Sequence, residues 1–139
     1  MAAEANRHLA LQFVDNVNQR KLDAVAALMA PGFVAHWAGR PEVRGAEAWI
    51  ATVEQILGAV PDLQYTVDAV SAEGDLVGMR YHWTGTQTGE MRGIPATGKR
   101  VRVEGMGFFQ FKDGKLVEEW AVDDTMGLLQ QLGVLPTGR

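Results

Sequence analysis

The fold is decided by residues 93–133, which contain Gly93-Ile-Pro-Ala-Thr-Gly-Lys99, Asp113-Gly-Lys-Leu-Val-Glu-Glu-Trp120, Asp123-Asp124 and Gln130-Gln-Leu-Gly133. The glycines and the proline of the first segment indicate a loop. Asp113-Gly114, at the start of the second segment, indicates a tight turn between two strands. The final glycine is typical of a helix end. A loop, a strand, a turn, a strand and a short helix in this order predict a small cone-shaped α+β domain with an internal pocket.

Three helices are predicted upstream of this stretch. Apolar residues recur at helical spacing over residues 9–17, 22–29 and 49–60. Pro31 is expected to end the second helix and Pro61 the third.

Strands are predicted where the apolar period changes to two. A short strand is expected at residues 33–37, and from residue 63 onward the apolar residues occupy odd positions in successive strands. Helices followed by strands predict an α+β fold, in which three N-terminal helices pack on one face of a curved antiparallel sheet.

Composition limits the possible classes of function. The chain has 139 residues, which is the size of one domain, and a formal net charge of −4 without a basic cluster, so nucleic acid is not an expected partner. It has no cysteine. We find no apolar run long enough to span a membrane and no signal-peptide pattern, and therefore expect a cytoplasmic protein.

The segment Gly93–Lys99 also fits the phosphate-binding pattern G-x-x-x-x-G-K. Arg100 follows where magnesium coordination needs Ser or Thr, and a strand pattern follows where a helix must begin. We therefore interpret the segment as a turn between two strands.

The odd positions of the strands are predicted to face the core, and the even positions to face outward. The outward set is mixed, because Met106, Phe108 and Trp120 accompany Arg102 and Glu104. Large apolar groups seldom cluster on a free surface. This pattern predicts a homodimer through the outer face of the sheet.

The Gly93–Lys99 loop, the Asp-Gly-Lys turn, Glu118-Glu-Trp120, Asp124 and Gln131-Leu-Gly133 together resemble the SnoaL-like polyketide (ester) cyclases of the NTF2-like superfamily. The resemblance is most specific over residues 75–133. It implies an NTF2-like cone-shaped barrel and an intramolecular aldol closure of a polyketide without metal or organic cofactor. It also implies a carboxylate as general acid/base.

The family's catalytic side chains are replaced in this sequence. The acid/base aspartate of SnoaL corresponds to Ala121, its pocket histidine to Gly107 and its pocket glutamine to Gly105. These small residues are expected to enlarge a pocket for a bulky apolar small molecule. The candidate substrate-binding residues are Trp37, Tyr65, Met79, Tyr81, Trp83, Gly105, Gly107, Phe109 and Ala121. Each aromatic residue taken alone is better explained as part of the core.

Four residues are candidates for the missing proton-transfer groups. Asp123 and Glu119 have inward parity, where burial would raise a carboxyl pKa. Asp123 or Asp124 is alternatively a helix cap, and Glu119 alternatively a solvated edge residue. His36 is expected at the pocket mouth, as a proton relay or as a structural histidine. The histidines lack metal-ligand spacing, so no metal site is predicted.

Three functions follow as hypotheses. The first is a cofactor-independent acid/base enzyme, of cyclase, isomerase or hydrolase type, acting on a polyketide-like substrate. The alternative is a non-catalytic small-molecule-binding or accessory protein of the same fold. The third is an auxiliary component of an oxygenation step.

Overall fold

The computed structural model describes residues 2–136 and contains four helices and six strands. In chain order these are α1 (Ala2–Asn18), α2 (Leu22–Ala27), β1 (Met29–Trp37), β2 (Val43–Arg44), α3 (Ala46–Ala59), β3 (Gln64–Glu73), β4 (Leu76–Thr86), β5 (Arg100–Lys112), β6 (Lys115–Asp123) and α4 (Thr125–Gln131). The α+β architecture expected from the sequence is confirmed. No helix in this part of the chain is both long enough and apolar enough to span a membrane.

The strands form one curved, open sheet in the order β2-β1-β6-β5-β4-β3. Every pairing is antiparallel except that of β1 with β6, which is parallel. This pair departs from the fully antiparallel sheet predicted above. No hairpin joins β1 to β6, so no tight turn imposes an antiparallel direction on them.

The second helix is shorter than its apolar pattern predicts. α2 ends at Ala27, and Met29 already begins β1, so Pro31 lies inside a strand rather than after a helix. A six-residue helix gains little from propensity alone, because each helix end leaves backbone groups unpaired. Burial of Val25 and Met29 in the same core stabilises this change of direction.

The odd residues of β4 and β5 face the helices, as their alternation predicts. Val77, Met79 and Tyr81 of β4 are buried with Phe109 and Phe111 of β5 in the core that α1 and α3 cover. A smaller core lies between β4, β5 and α4.

The inward positions of β6 depend on a bulge. The register between β5 and β6 shifts after Gln110, so that Leu116 and Glu119 are both buried although their numbers differ in parity. Beyond the bulge, Glu119 pairs with Phe109 and Asp123 with Gly105. The carboxylates of Glu119 and Asp123 therefore lie on the same, inner face of the sheet.

The end of α1 fixes the start of β3. The Asn18 side chain accepts a hydrogen bond from the Tyr65 backbone N–H at 2.8 Å and donates one to the Tyr65 carbonyl at 2.9 Å. Arg20 donates to the Leu63 carbonyl at 2.7 Å. These contacts hold Tyr65 where its ring faces the inner side of the sheet.

Candidate active site

A cavity of about 140 Å³ lies between the inner face of the sheet and helices α1 and α3. Its wall is mostly apolar, with Phe13, Val14, Trp49, Val53 and Leu57 on the helical side. Seven of the predicted substrate-binding residues line it, namely Trp37, Tyr65, Met79, Tyr81, Gly107, Phe109 and Ala121. Both Glu119 and Asp123 face the same space.

A second cavity of about 570 Å³ adjoins the first. The two share Arg40, Tyr65, Arg92 and Asp123 among their lining residues. Trp83, the eighth predicted substrate-binding residue, lines this second space. A cavity of about 150 Å³ holds a single benzene ring, so a multi-ring ligand would have to occupy both spaces.

Asp123 lies at the centre of a hydrogen-bonded group at the junction of the cavities. The Tyr81 hydroxyl donates to one carboxylate oxygen of Asp123 at 2.5 Å, and the Trp83 indole N–H donates to the other at 3.4 Å. Burial against the apolar wall raises the pKa of Asp123, which the hydrogen bonds from Tyr81 and Trp83 partly oppose. The residue as a whole stays exposed to solvent. Asp123 is thus a fixed carboxylate at an accessible edge of the cavity.

Tyr81 remains a hydrogen-bond donor in this arrangement. Burial, followed by the negative charge of Asp123, raises the pKa of its hydroxyl far above the ordinary value. The Tyr65 ring meets the Tyr81 ring edge-on at 5.6 Å between centroids. Burial also raises the pKa of Tyr65.

Gly105 does not enlarge the cavity, which corrects the expectation from the sequence. A Cβ atom at this position would collide with the Asp123 carboxylate and with the Tyr81 hydroxyl. Gly105 does not line either of the two inner cavities. The missing side chain therefore leaves space for the Tyr81–Asp123 hydrogen bond.

Gly107 lines the first cavity, but its lack of a side chain is explained by the backbone of the neighbouring strand. A Cβ atom there would collide with the carbonyl oxygen of Trp120 on the neighbouring strand. Ala121 is its register partner in β6. The pair permits a close approach of β5 and β6 at the floor of the cavity.

Glu119 is the deepest acidic group of the site. It is 7% exposed, and its Oε1 atom has no hydrogen-bond partner in the structure. Burial raises the pKa of Glu119 to about 7, an effect that the neighbouring Trp37 indole partly opposes and the charge of Asp123 reinforces. The alternative of a solvated edge position is therefore wrong for Glu119.

His36 lies outside the cavity, contrary to its expected position at the mouth. Its Nε2 atom is 2.6 Å from Glu118, and its ring stacks on Trp120 at 5.6 Å between centroids. In β1 the side chains alternate between faces, so the burial of Ala35 and the inward direction of Trp37 place His36 on the outer face. Its role is thus structural, because its contact with Glu118 links β1 to β6.

Asp124 caps a helix and does not line either inner cavity. Its side chain accepts a hydrogen bond from the Gly127 backbone N–H at 2.9 Å, at the start of α4. This position corresponds to the capping alternative, and it leaves Asp123 and Glu119 as the carboxylates of the site.

Two arginines of the site were not predicted from the sequence. Arg40 follows β1, Arg92 lies in the loop between β4 and β5, and both line the two cavities. The Arg40 guanidinium lies over the Trp37 ring, 5.9 Å from its centroid. Both arginines lie outside the helices and strands, where no regular spacing of residues predicts which way a side chain points. Within residues 2–136, no group of three or more His, Asp or Glu side chains could hold a metal ion.

Comparison with known proteins identifies the family. The model of the SnoaL-like polyketide cyclase family matches residues 8–132. The chain belongs to the SnoaL-like polyketide cyclase family. Its curved sheet and helical layer are the NTF2-like fold that the sequence predicts.

Individual SnoaL-like proteins are similar along nearly the whole chain. Aklanonic acid methyl ester cyclase DnrD from Streptomyces peucetius is 30% identical over 131 residues, which cover 90% of this chain and 88% of DnrD. The structure of a proposed SnoaL-like polyketide cyclase from Jannaschia sp. CCS1 has a TM-score of 0.89 and 26% identity, covering 97% of this chain and 96% of that one. AclR from Streptomyces galilaeus, described as a proposed hydroxylase, has a TM-score of 0.85 and 34% identity, covering 96% and 84%.

Proposed function

We propose that this SnoaL-like protein is an enzyme that performs cofactor-independent acid/base chemistry on a bulky, largely apolar, polyketide-like substrate. The observation that carries this proposal is the Asp123 carboxylate, held by Tyr81 at 2.5 Å and by Trp83 at 3.4 Å where two cavities meet. A carboxylate fixed in an apolar wall is suited to removing a proton from carbon.

Glu119 and Asp123 supply different protonation states in this proposal. Near neutral pH, Glu119 is present partly as the acid because its pKa is about 7. As an acid it donates a hydrogen bond to a substrate carbonyl oxygen, while ionised Asp123 takes the proton from the adjacent carbon. In an aldol closure the resulting enolate attacks a second carbonyl of the same molecule. The new alkoxide then takes the proton back, so the product is an isomer of the substrate.

Asp123→Asn tests the proposal, with Asp124→Asn as the matched control. Aklanonic acid methyl ester, the compound in the name of DnrD, and polycyclic compounds of the same kind with either a methyl ester or a free carboxylate are the substrates to screen. We expect wild type to form an isomer of one of them, and Asp123→Asn to lower kcat by about 10²–10⁴-fold. Asp124→Asn keeps both the helix cap and the activity. Unchanged turnover by a folded Asp123→Asn protein would contradict the proposal.

The alternative is a small-molecule-binding or accessory protein of the same fold. The replacement of the family's acid/base aspartate by Ala121 is the observation that favours it. Such a protein would retain a ligand through purification and form no product, with or without Asp123. Native mass spectrometry of the purified protein distinguishes this outcome from catalysis.

A role in an oxygenation step is a further candidate, because AclR, at 34% identity, is described as a proposed hydroxylase. The product would then be heavier than the substrate by one oxygen atom. Mass spectrometry of the reaction products separates this outcome from isomerisation.

We also propose that the protein forms a homodimer through the outer face of its sheet. Met106, Phe108 and Val122 are exposed there by 62%, 50% and 60%, and Trp120 lies beside them. An apolar patch on adjacent strands favours coverage by a second copy. We further infer that the protein acts in the cytoplasm, where a polyketide intermediate would reach it.

A further inference from the structure

The open end of the two cavities carries two positive charges. Arg92 is exposed and Arg40 is half-buried, while the remaining wall is mostly apolar and buried. Among the residues that the structure describes, neither guanidinium forms an ion pair or a side-chain hydrogen bond. The N–H groups of both guanidiniums are therefore available to donate hydrogen bonds to a ligand.

The two arginines act on each other across this opening. Partial burial, and after it the positive charge of Arg92, lowers the pKa of Arg40. The acidic groups that line the same space are Asp123, Glu119 and Glu90. Burial raises the pKa of Asp123, but the hydrogen bonds from Tyr81 and Trp83 and the positive charge of Arg92 lower it, so Asp123 offsets part of the positive charge at the opening. Because neither arginine forms an ion pair in the part of the chain that the structure describes, a ligand anion at the opening would be attracted by both of them.

A network of hydrogen bonds holds the loop that carries Arg92. Gln87 is fully buried and donates hydrogen bonds to the carbonyls of Gly89, Ile94 and Pro95, while its Oε1 atom accepts two from Thr97. Met91 and Ile94 exchange backbone hydrogen bonds of 3.0 and 2.8 Å around Arg92.

Arg92 itself adopts a left-handed backbone conformation with φ of 52°. The hydrogen bonds of this loop hold the backbone from which the Arg92 side chain extends, so binding has less loop entropy to remove.

We propose that Arg40 and Arg92 recognise an oxyanion, specifically a carboxylate, on a ligand whose ring system fills the two cavities. This inference rests on the proposed function, since it uses the same cavities, and it specifies the substrate class further. Guanidinium groups bind carboxylates through paired charge-assisted hydrogen bonds. The ligand thus enters with its apolar rings first and keeps its acid group at the opening.

A matched pair of probes tests the charge alone. Anthracene-2-carboxylate and its methyl ester share one ring system and differ in the negative charge. Calorimetric titration compares their Kd values for wild type, Arg40→Gln, Arg92→Gln and the control Arg102→Gln. Arg102 is exposed on β5 and lines neither cavity.

We expect wild type and Arg102→Gln to bind the carboxylate at least about tenfold more tightly than the ester. Arg40→Gln and Arg92→Gln should lose most of this preference and keep the affinity for the ester. Added salt should weaken binding of the carboxylate only. Because Arg92 is exposed, its variant keeps the test informative even if Arg40→Gln fails to fold.

Equal affinities of wild type for the two probes would overturn the inference and leave the proposed function standing. A preference that survives in both arginine variants would overturn it as well. If neither probe binds to wild type, both the inference and the ligand-binding role of the cavities are wrong.

Discussion

Asp123 and Tyr81 can meet in this cavity only because the residue opposite them on β5 has no side chain. The Gly105 backbone lies directly beside the hydrogen bond between them, so any Cβ atom would displace one partner. A glycine in a strand interior costs stability, because it loses more backbone entropy on folding and packs no side chain. That cost is consistent with a position kept for the geometry of the site.

Tyr81→Phe is predicted to move the pH dependence of the reaction. The Tyr81 hydrogen bond lowers the pKa of Asp123 against the raising effect of burial. Without the hydroxyl the pKa rises further, and the acidic limb of the kcat/KM profile moves to higher pH.

Tyr65→Phe is the control, because the Tyr65 ring contacts Tyr81 but its hydroxyl makes no hydrogen bond to Asp123 in the structure. We expect the limb to stay in place in this variant. An acidic limb that does not move in Tyr81→Phe would contradict the role of Asp123 as the base.

Glu119→Gln is predicted to increase stability at alkaline pH. The pKa of Glu119 is about 7 in the folded protein against an ordinary value of 4.5. The protonated form is therefore favoured by folding, and wild type loses stability as the pH rises through this range. The difference corresponds to about 3 kcal/mol once both states are ionised.

Denaturant unfolding at about pH 4 and about pH 8 measures this effect for wild type and Glu119→Gln. Wild type should lose up to about 3 kcal/mol relative to the variant between these two conditions. Glu54→Gln on the exposed side of α3 is the control, with no such difference expected. The same change in the free energy of unfolding with pH in all three proteins would refute the assignment of an ionisable buried Glu119.

Among the elements, α4 is short enough for its cap to matter. Its seven residues gain one side-chain cap, from Asp124 to the Gly127 N–H. Asp124→Ala should lower the free energy of unfolding by about 1 kcal/mol, whereas Asp124→Asn should lower it by much less. Thermal unfolding of the two variants compares them directly. Equal losses would show that charge, rather than the hydrogen bond, stabilises this end.

The elements themselves could be predicted where the apolar period is long. Alternation over β4 and β5 gave the strands and their inward face, because burial of every second residue is a local property of a strand. The start of β1 could not be predicted, since the core contacts of Met29 override the helical pattern that precedes it. The parallel pairing of β1 with β6 depends on contacts distant in sequence.

The site was only partly predictable for the same reason. The inward direction of Asp123 and Glu119 follows from strand parity. The position of His36 depends on the face that β1 turns toward β6, and its contact Glu118 lies 82 residues away. Arg40 and Arg92 lie in turns, where no periodicity indicates direction. The reason for Gly105 became visible only with the Tyr81 and Asp123 side chains in place.

On the scale of the whole molecule, the outer face of the sheet predicts self-association. Light scattering should give a dimeric mass at micromolar concentration. Phe108→Glu should give a monomer, because it places a charge in the centre of the proposed interface. Gln55→Glu, an exposed change on α3, should leave the mass unchanged. A monomeric wild type would refute the dimer.

The parallel contact between β1 and β6 has a consequence for how the protein is made. β1 is synthesised early, but one of its two edges pairs with β6, which lies near the other end of the chain. That edge stays unpaired until β6 has been synthesised. Contacts so far apart in sequence form slowly, because loop closure must precede them. Asp123 and Glu119 both lie on β6, so the reactive part of the cavity cannot form before β6 has been synthesised. An arrested or truncated chain would therefore lack the two carboxylates.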